Sequence, residues 1–136
     1  MTVYETAHHW SRFVRVSFGA EDRTIRTERR LFDVRCDALL IDLRRKETAY
    51  PALVDRTSYA FCQQVGNHVH EQGQNGLLVR SARCDGINAA IFRPERLRDA
   101  RDKLFLTYRY NPARDELVVE RVQGRAWLRI APSALE

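Results

Sequence analysis

The sequence predicts an α+β fold in which a mixed, mostly antiparallel sheet is flanked by two main helices. Apolar residues recur at helical spacing near the N-terminus and again before Gly73. Two short apolar runs flank a polar loop within residues 76–92, and turn formers separate the apolar runs of the last third. A length of 136 residues suits one domain, over residues 1–136, with a hydrophobic core.

The first predicted helix runs from Thr2 to about Phe18. Its apolar stripe consists of Val3, Ala7, Trp10 and Val14. Glu5 lies nearly opposite the centre of this stripe, so periodicity alone predicts a solvated carboxylate near the helix N-terminus. His8 and His9 are adjacent and point about 100° apart, which is a poor arrangement for binding one metal. Both histidines are expected to be exposed or at the edge of the stripe.

Two segments between the helices have extended patterns. Residues 25–36 alternate loosely and predict a strand, and residues 39–43 predict a short strand or turn. Residues 49–56 are expected to be irregular because Pro51 disfavours a helix.

A second helix is predicted between residue 57 and Gly73. Asp55 or Thr57 can cap its beginning, and Gly73 is a plausible left-handed terminator. One face carries Tyr59, Cys62, Val65 and Val69.

Residues 76–92 predict two buried strands around a polar loop, and the chain is organised around this stretch. Ser81 lies where the first strand ends, in a loop that both strands hold in place, which is a frequent location for a functional site. Its hydroxyl can donate and accept a hydrogen bond. The alternative is that Ser81 only bonds a nearby backbone group.

The last third predicts short strands. Pro94 is expected to open a single helical turn. Residues 104–110 and 116–122 predict two antiparallel strands joined by a loop of turn formers, and residues 127–130 predict another short strand.

Composition excludes several classes of protein. No apolar run approaches membrane-spanning length and no signal peptide opens the chain. The odd number of cysteines, without metal-site spacing, indicates free thiols in a reducing cytoplasm. The net charge is +5, but the arginines are spread along the chain, which favours a solvated surface over a direct nucleic-acid site. The sequence has no phosphate loop, dinucleotide fingerprint, zinc spacing or nucleophile elbow, so we expect no metal and no prosthetic group.

Five motifs occur in the order found in the RES domain, and the chain resembles that family over nearly its whole length. The family is named for an Arg, a Glu and a Ser, and by position Glu5 resembles the Glu and Ser81 the Ser. The two residues are 76 positions apart. The motifs are Glu5-Thr6-Ala7-His8-His9, Tyr59, Gly76-Leu77-Leu78-Val79-Arg80-Ser81-Ala82-Arg83, Ile91-Phe92-Arg93-Pro94 and Leu106-Thr107-Tyr108-Arg109-Tyr110.

The resemblance implies a cytoplasmic toxin of a bacterial toxin–antitoxin pair, neutralised by an Xre-type helix-turn-helix antitoxin. Its fold would be similar to the ADP-ribosyltransferase toxins, and its substrate would be NAD+. It would act as a glycohydrolase or phosphorylase or transfer ADP-ribose to a protein, so the acceptor stays open. In this reading Glu5 is catalytic, Ser81 and Arg83 bind NAD+, and Glu5 and Ser81 converge in space.

The chain departs from the family pattern at its beginning. The family's Arg precedes its Glu, whereas only four residues precede Glu5 here, so no residue can be assigned to it. The chain therefore resembles an N-terminally truncated RES domain, with uncovered sheet edges that favour a homo-oligomer. Two alternatives are a catalytically inactive RES remnant that only binds a partner, and an unrelated basic module that binds nucleic acid.

Overall fold

The computed structural model describes residues 2–136, and within them two α-helices and seven strands confirm the α+β class. The helices are α1 (Thr2–Phe18) and α2 (Ala60–Glu71). The strands are β1 (Ile25–Cys36), β2 (Ile41–Asp42), β3 (Gly76–Arg80), β4 (Ile87–Ile91), β5 (Leu97–Asn111), β6 (Glu116–Val122) and β7 (Arg125–Ile130). Short 3-10 helices occupy Pro51–Val54, Pro94–Arg96 and Pro132–Leu135.

The strands divide between two sheets. One sheet has the order β1-β5-β6-β7, and the other has the order β2-β3-β4. Strands β2 and β3 are parallel, whereas the β3–β4, β5–β6 and β6–β7 pairs are antiparallel. The mixed, mostly antiparallel character predicted from the sequence is thus present.

The chain forms two compact units. Residues 34–100 with Thr2 form one, which we call the insert unit, and residues 3–33 with 101–136 form the other, which we call the terminal unit.

The core of the terminal unit is the predicted apolar stripe of α1 together with the inner face of the sheet. The stripe residues are all buried, and Leu106, Leu117 and Val119 of the sheet are almost completely inaccessible. The ring of Trp10 meets the rings of Tyr108 and Tyr110 edge to face, with centroids 6.0 and 6.2 Å apart. The 3.6-residue periodicity therefore predicted correctly which face of α1 is buried.

The hydroxyls of the two buried core tyrosines, Tyr108 and Tyr110, form hydrogen bonds with side chains of α1. The hydroxyls of Thr6 and Tyr108 share a hydrogen bond of 2.9 Å, and burial raises the pKa of Tyr108. Arg15 Nη2 donates to the Tyr110 hydroxyl at 3.0 Å and to Asp115 Oδ1 at 3.0 Å. These bonds fix the position of α1 along the sheet.

The buried face of α1 is wider than the sequence indicated. His8 is only 5% exposed and Ser11 only 3%. The prediction of an exposed or edge position is therefore wrong for His8, although His9 is exposed. Periodicity identifies the centre of a buried stripe, but its width depends on neighbours that are distant in sequence.

Helix α2 begins later than predicted, because neither proposed cap acts as one. Tyr59 occupies the N-cap position, but its side chain makes no capping hydrogen bond. Asp55 Oδ1 instead accepts hydrogen bonds from the N–H groups of Thr57 and Ser58 at 2.7 and 3.1 Å, which close a turn before the helix. Gly73 follows the helix with a φ of +72°, as predicted for its terminator.

A buried carboxylate supports the β6–β7 turn and gives a pH-dependent prediction. Glu120 accepts hydrogen bonds from the Gly124 N–H at 3.0 Å and from Arg109 at 3.3 Å, and these bonds, the first above all, hold the Glu120 pKa below its usual 4.5. The resulting stability is present above pH 4.5 and is lost as the pH falls through the lower, folded-state pKa. Glu120→Gln should therefore be less stable than the parent at pH 7, with a difference that shrinks on acidification. Urea unfolding at pH 7 and pH 3 measures this, and an equal difference at both pH values would contradict it.

Candidate functional site

The loop between β3 and β4 carries Ser81 and Arg83, two of the three residues predicted for the site. The strands pair from Gly76 with Ile91 to Arg80 with Ile87. The Ser81 N–H donates to the Gly86 carbonyl at 2.9 Å and closes the loop directly after the last strand pair. The predicted strand–loop–strand order is confirmed, and Ser81 lies at the first position beyond β3. The prediction that both strands are buried is wrong for β4, whose residues are all exposed or half-buried because it is the end strand of its sheet.

Ser81 is buried and bonded within its own loop. It is 7% exposed, and its Oγ accepts a hydrogen bond of 3.2 Å from the Arg83 N–H. This contact is the local backbone bond that the sequence left open as an alternative. The Ser81 oxygen acts as the acceptor in this contact, which orients the side chain within the loop.

Arg83 is 4% exposed, and two groups from the segment before α2 hold its guanidinium. Nη2 donates to the Tyr59 hydroxyl at 2.6 Å and to the Arg56 carbonyl at 3.2 Å. A charge is seldom buried unless hydrogen bonds and opposite charges stabilise it. The structure therefore fixes a positive charge on the loop that carries Ser81, with its direction set by the two acceptors.

A reciprocal contact ties the loop to the same segment. Arg56 Nε donates to the Ala82 carbonyl at 2.8 Å, while the Arg56 carbonyl accepts from Arg83. The sequence motifs included Tyr59, but they gave no sign that Arg56 takes part. A bond across 26 or 27 positions leaves no local pattern from which it could be predicted.

Glu5, the third predicted residue, lies in the first turn of α1 in the terminal unit. It is half-buried, whereas periodicity alone predicted a solvated carboxylate. Its convergence with Ser81, a residue of the insert unit, stays a prediction.

A second group of arginines lines a cleft at the end of the small sheet. Strands β2 and β3 are parallel, so their carboxyl ends meet at one edge. The cleft measures about 520 Å³ and is lined by Asp42, Arg44, Arg45, Arg80, Asp85, Gly86 and Ile87. The Arg44 side chain makes two bonds to Asp42, at 2.9 and 2.6 Å, and side-chain hydrogen bonding from Arg44 is the main reason that the Asp42 pKa is strongly lowered. Arg44 and Arg45 begin a short basic run in the sequence, Arg44-Arg45-Lys46.

The described residues also bear on metal, thiol and membrane chemistry. Residues 2–136 contain no group of three side chains placed to hold a metal ion. Cys36, Cys62 and Cys84 are free thiols, and burial raises the pKa of Cys62. No helix in this range is long and apolar enough to cross a bilayer.

The fold and the loop define an α+β protein with a buried serine–arginine pair at the end of a central strand. The family model of the RES domain matches residues 1–111, which is most of the chain, and the chain therefore belongs to the RES domain family. The matched region ends with β5, so β6 and β7 lie beyond it. No curated protein and no solved structure matches the chain.

Proposed function

We propose that this chain is a RES-type toxin domain that consumes NAD+ by cleaving the bond between nicotinamide and ribose. Membership of the RES family carries the proposal, and Glu5 and Ser81 are the residues that resemble the family's Glu and Ser by their place in the sequence. The rigid loop that holds Ser81 beside Arg83 supports it, because a positioned hydroxyl and a fixed positive charge suit a phosphate-bearing substrate.

The proposed reaction needs a group that stabilises positive charge on the ribose. Nicotinamide leaves with the electron pair of the broken C–N bond, and water, phosphate or a protein nucleophile supplies a new pair and loses its proton. Positive charge develops on the ribose ring in between, as in glycoside hydrolysis. Glu5 is the proposed catalytic residue, since a fixed carboxylate stabilises this charge and orients the ribose hydroxyls.

Ser81 and Arg83 are proposed to bind the substrate. The Ser81 hydroxyl would donate to the nicotinamide amide or to a ribose hydroxyl, and Arg83 would meet a phosphate. Tyr59 and the Arg56 carbonyl then act as positioning groups, because they hold the Arg83 guanidinium in one direction. The proposal requires that the Ser81 loop and Glu5 face the same substrate.

The remaining family properties belong to the same proposal. NAD+ is a substrate here, with no prosthetic group required. The fold would be related to the ADP-ribosyltransferase toxins, and an Xre-type helix-turn-helix antitoxin in the cytoplasm would neutralise the activity.

The loss of NAD+ in the presence of the purified chain tests the proposal. With Glu5→Gln we expect a rate at least about 100-fold lower, because the variant keeps the shape of the side chain and removes its charge. Glu71→Gln, at an exposed carboxylate at the end of α2, is the matched control and should keep the parent rate. Assays with and without phosphate identify the acceptor from the product.

Either of two results would contradict the proposal: no loss of NAD+ with the parent chain, or the same loss with Glu5→Gln. Circular dichroism of both variants checks that they fold, so that a lower rate of NAD+ loss can be attributed to the missing carboxylate and not to unfolding.

One observation favours the second candidate, an inactive RES remnant that only binds a partner. The Ser81 Oγ bonds the Arg83 N–H, and the Arg83 guanidinium bonds Tyr59 and Arg56, so both residues also have structural roles in the loop. A folded chain that binds an antitoxin and leaves NAD+ intact would identify the remnant.

A further inference from the structure

A groove in the terminal unit lies between α1 and β1, and none of its lining residues belongs to the Ser81 loop. It measures about 500 Å³ and is lined by Thr6, His9, Trp10, Phe13, Thr27 and Arg29. Trp10 and Phe13 make its helix wall largely apolar. No carboxylate is among the lining residues.

Strand β1 forms the other wall and is an end strand of its sheet. It pairs with β5 on one side, and within residues 2–136 no further strand follows it in the sheet order. An end strand presents a row of backbone N–H and C=O groups that a further strand can pair with. Residues 25–33 of β1, which belong to the terminal unit, extend for roughly 30 Å.

The flank of α1 beside the groove carries exposed apolar side chains. Phe13 is 62% exposed and Val16, one turn further along the helix, is 82% exposed. Positions three apart share one side of a helix, so the two side chains extend a single apolar surface. A contiguous exposed apolar surface of this kind often marks an interaction site.

Two arginines beside this surface carry positive charges that no ion pair within residues 2–136 neutralises. Arg29 lines the groove and Arg12 is exposed on α1 next to Phe13. Neither arginine forms an ion pair in the part of the chain that the structure describes. The carboxylates of an acidic ligand would therefore form ion pairs with these two arginines, which have none within the described residues.

We propose that an extended segment of an acidic partner protein binds here as an additional strand on β1. Its backbone would pair with the open edge of residues 25–33, its apolar side chains would enter the groove against Phe13, and its carboxylates would meet Arg29 and Arg12. This is strand addition, in which the backbone gives affinity and alternate side chains give specificity. A second copy of the chain fits less well, because it carries the same net charge of +5 and the same arginines.

Selection from a phage library of random dodecapeptides against the immobilised chain tests the proposal. The consensus should alternate apolar and acidic residues, and the synthetic consensus peptide should bind at least about tenfold more weakly to Arg29→Glu and to Phe13→Ser. Arg125→Glu, on the exposed end strand β7, is the matched control and should bind as the parent does. N-methylation of every second amide of the peptide blocks either the N–H groups that face β1 or those that face away from it. Methylation of the first set should abolish binding and methylation of the second set should leave it intact, because only alternate N–H groups face a neighbouring strand.

Several outcomes would overturn the proposal. They are the absence of any enriched peptide, a consensus without acidic residues, and equal tolerance of both N-methylated sets. Self-association measured by sedimentation that Arg29→Glu abolishes would assign the groove to a second copy instead. Binding is measured without NAD+, so this result is independent of the proposed cleavage activity.

Discussion

Gly76→Ala is expected to destabilise the protein by about 3 kcal/mol. Gly76 has a φ of +155°, and a Cβ at this position would fall well inside contact distance of the Ala90 carbonyl oxygen in β4. The two strands cannot separate to make room without breaking their pairing at Gly76 and Ile91. Urea unfolding followed by circular dichroism measures the change.

Gly124→Ala is the control that separates backbone strain from steric collision. Gly124 has a φ of +78°, but a Cβ there would meet nothing within 4 Å. Only the strain of the left-handed conformation remains, at about 1 kcal/mol. Equal losses for Gly76→Ala and Gly124→Ala would contradict the close approach of β3 to β4.

Arg83→Lys should have the second-largest effect, with a loss of about 2 kcal/mol. Nη2 of the planar guanidinium donates to both the Tyr59 hydroxyl and the Arg56 carbonyl, and a lysine ammonium lacks this planar geometry. At least one of these two acceptors would lose its donor, and the positive charge would stay in a buried position. Urea unfolding again measures the loss, and a double-mutant cycle with Tyr59→Phe should give a coupling above about 0.5 kcal/mol.

Arg80→Lys provides the comparison for Arg83→Lys. Arg80 is half-exposed, its partner Asp85 is almost fully exposed, and its second partner Glu47 is 3.7 Å away, so the substitution should cost less than about 0.5 kcal/mol. If the two substitutions cost the same, the guanidinium of Arg83 does not hold the loop.

The sequence predicted best the elements whose apolar pattern is strong. The observed limits of α1, β1 and β6 agree with those predicted. One face of each element packs against a core or a sheet, and this gives the element a clear apolar pattern. Strand β5 begins at Leu97, whereas the pattern indicated Leu104. Its first seven residues are exposed and mostly charged, so alternation could not reveal them.

The candidate site was predictable in part. The position of Ser81 at the end of a strand follows from the apolar run before it, and the structure confirms the strand and the loop. The burial of Arg83 could not be predicted, because it depends on Tyr59 and Arg56, which are distant in sequence. Sequence patterns report the environment of a strand or helix but not the long-range partners of a single charge.

The division of the chain at residues 33–34 and 100–101 has a consequence for the order of folding. Apart from Thr2, the insert unit is continuous in sequence, and a ribosome completes it when residue 100 has been added. Helix α1 must wait for β5, β6 and β7 before it can bury Trp10 and Val14. The entropy lost in closing a loop rises with its length, so prior folding of residues 34–100 would shorten the flexible connection and reduce that loss. Nascent chains released before β5 should therefore leave α1 with its apolar stripe exposed to water, where chaperones and proteases act on it.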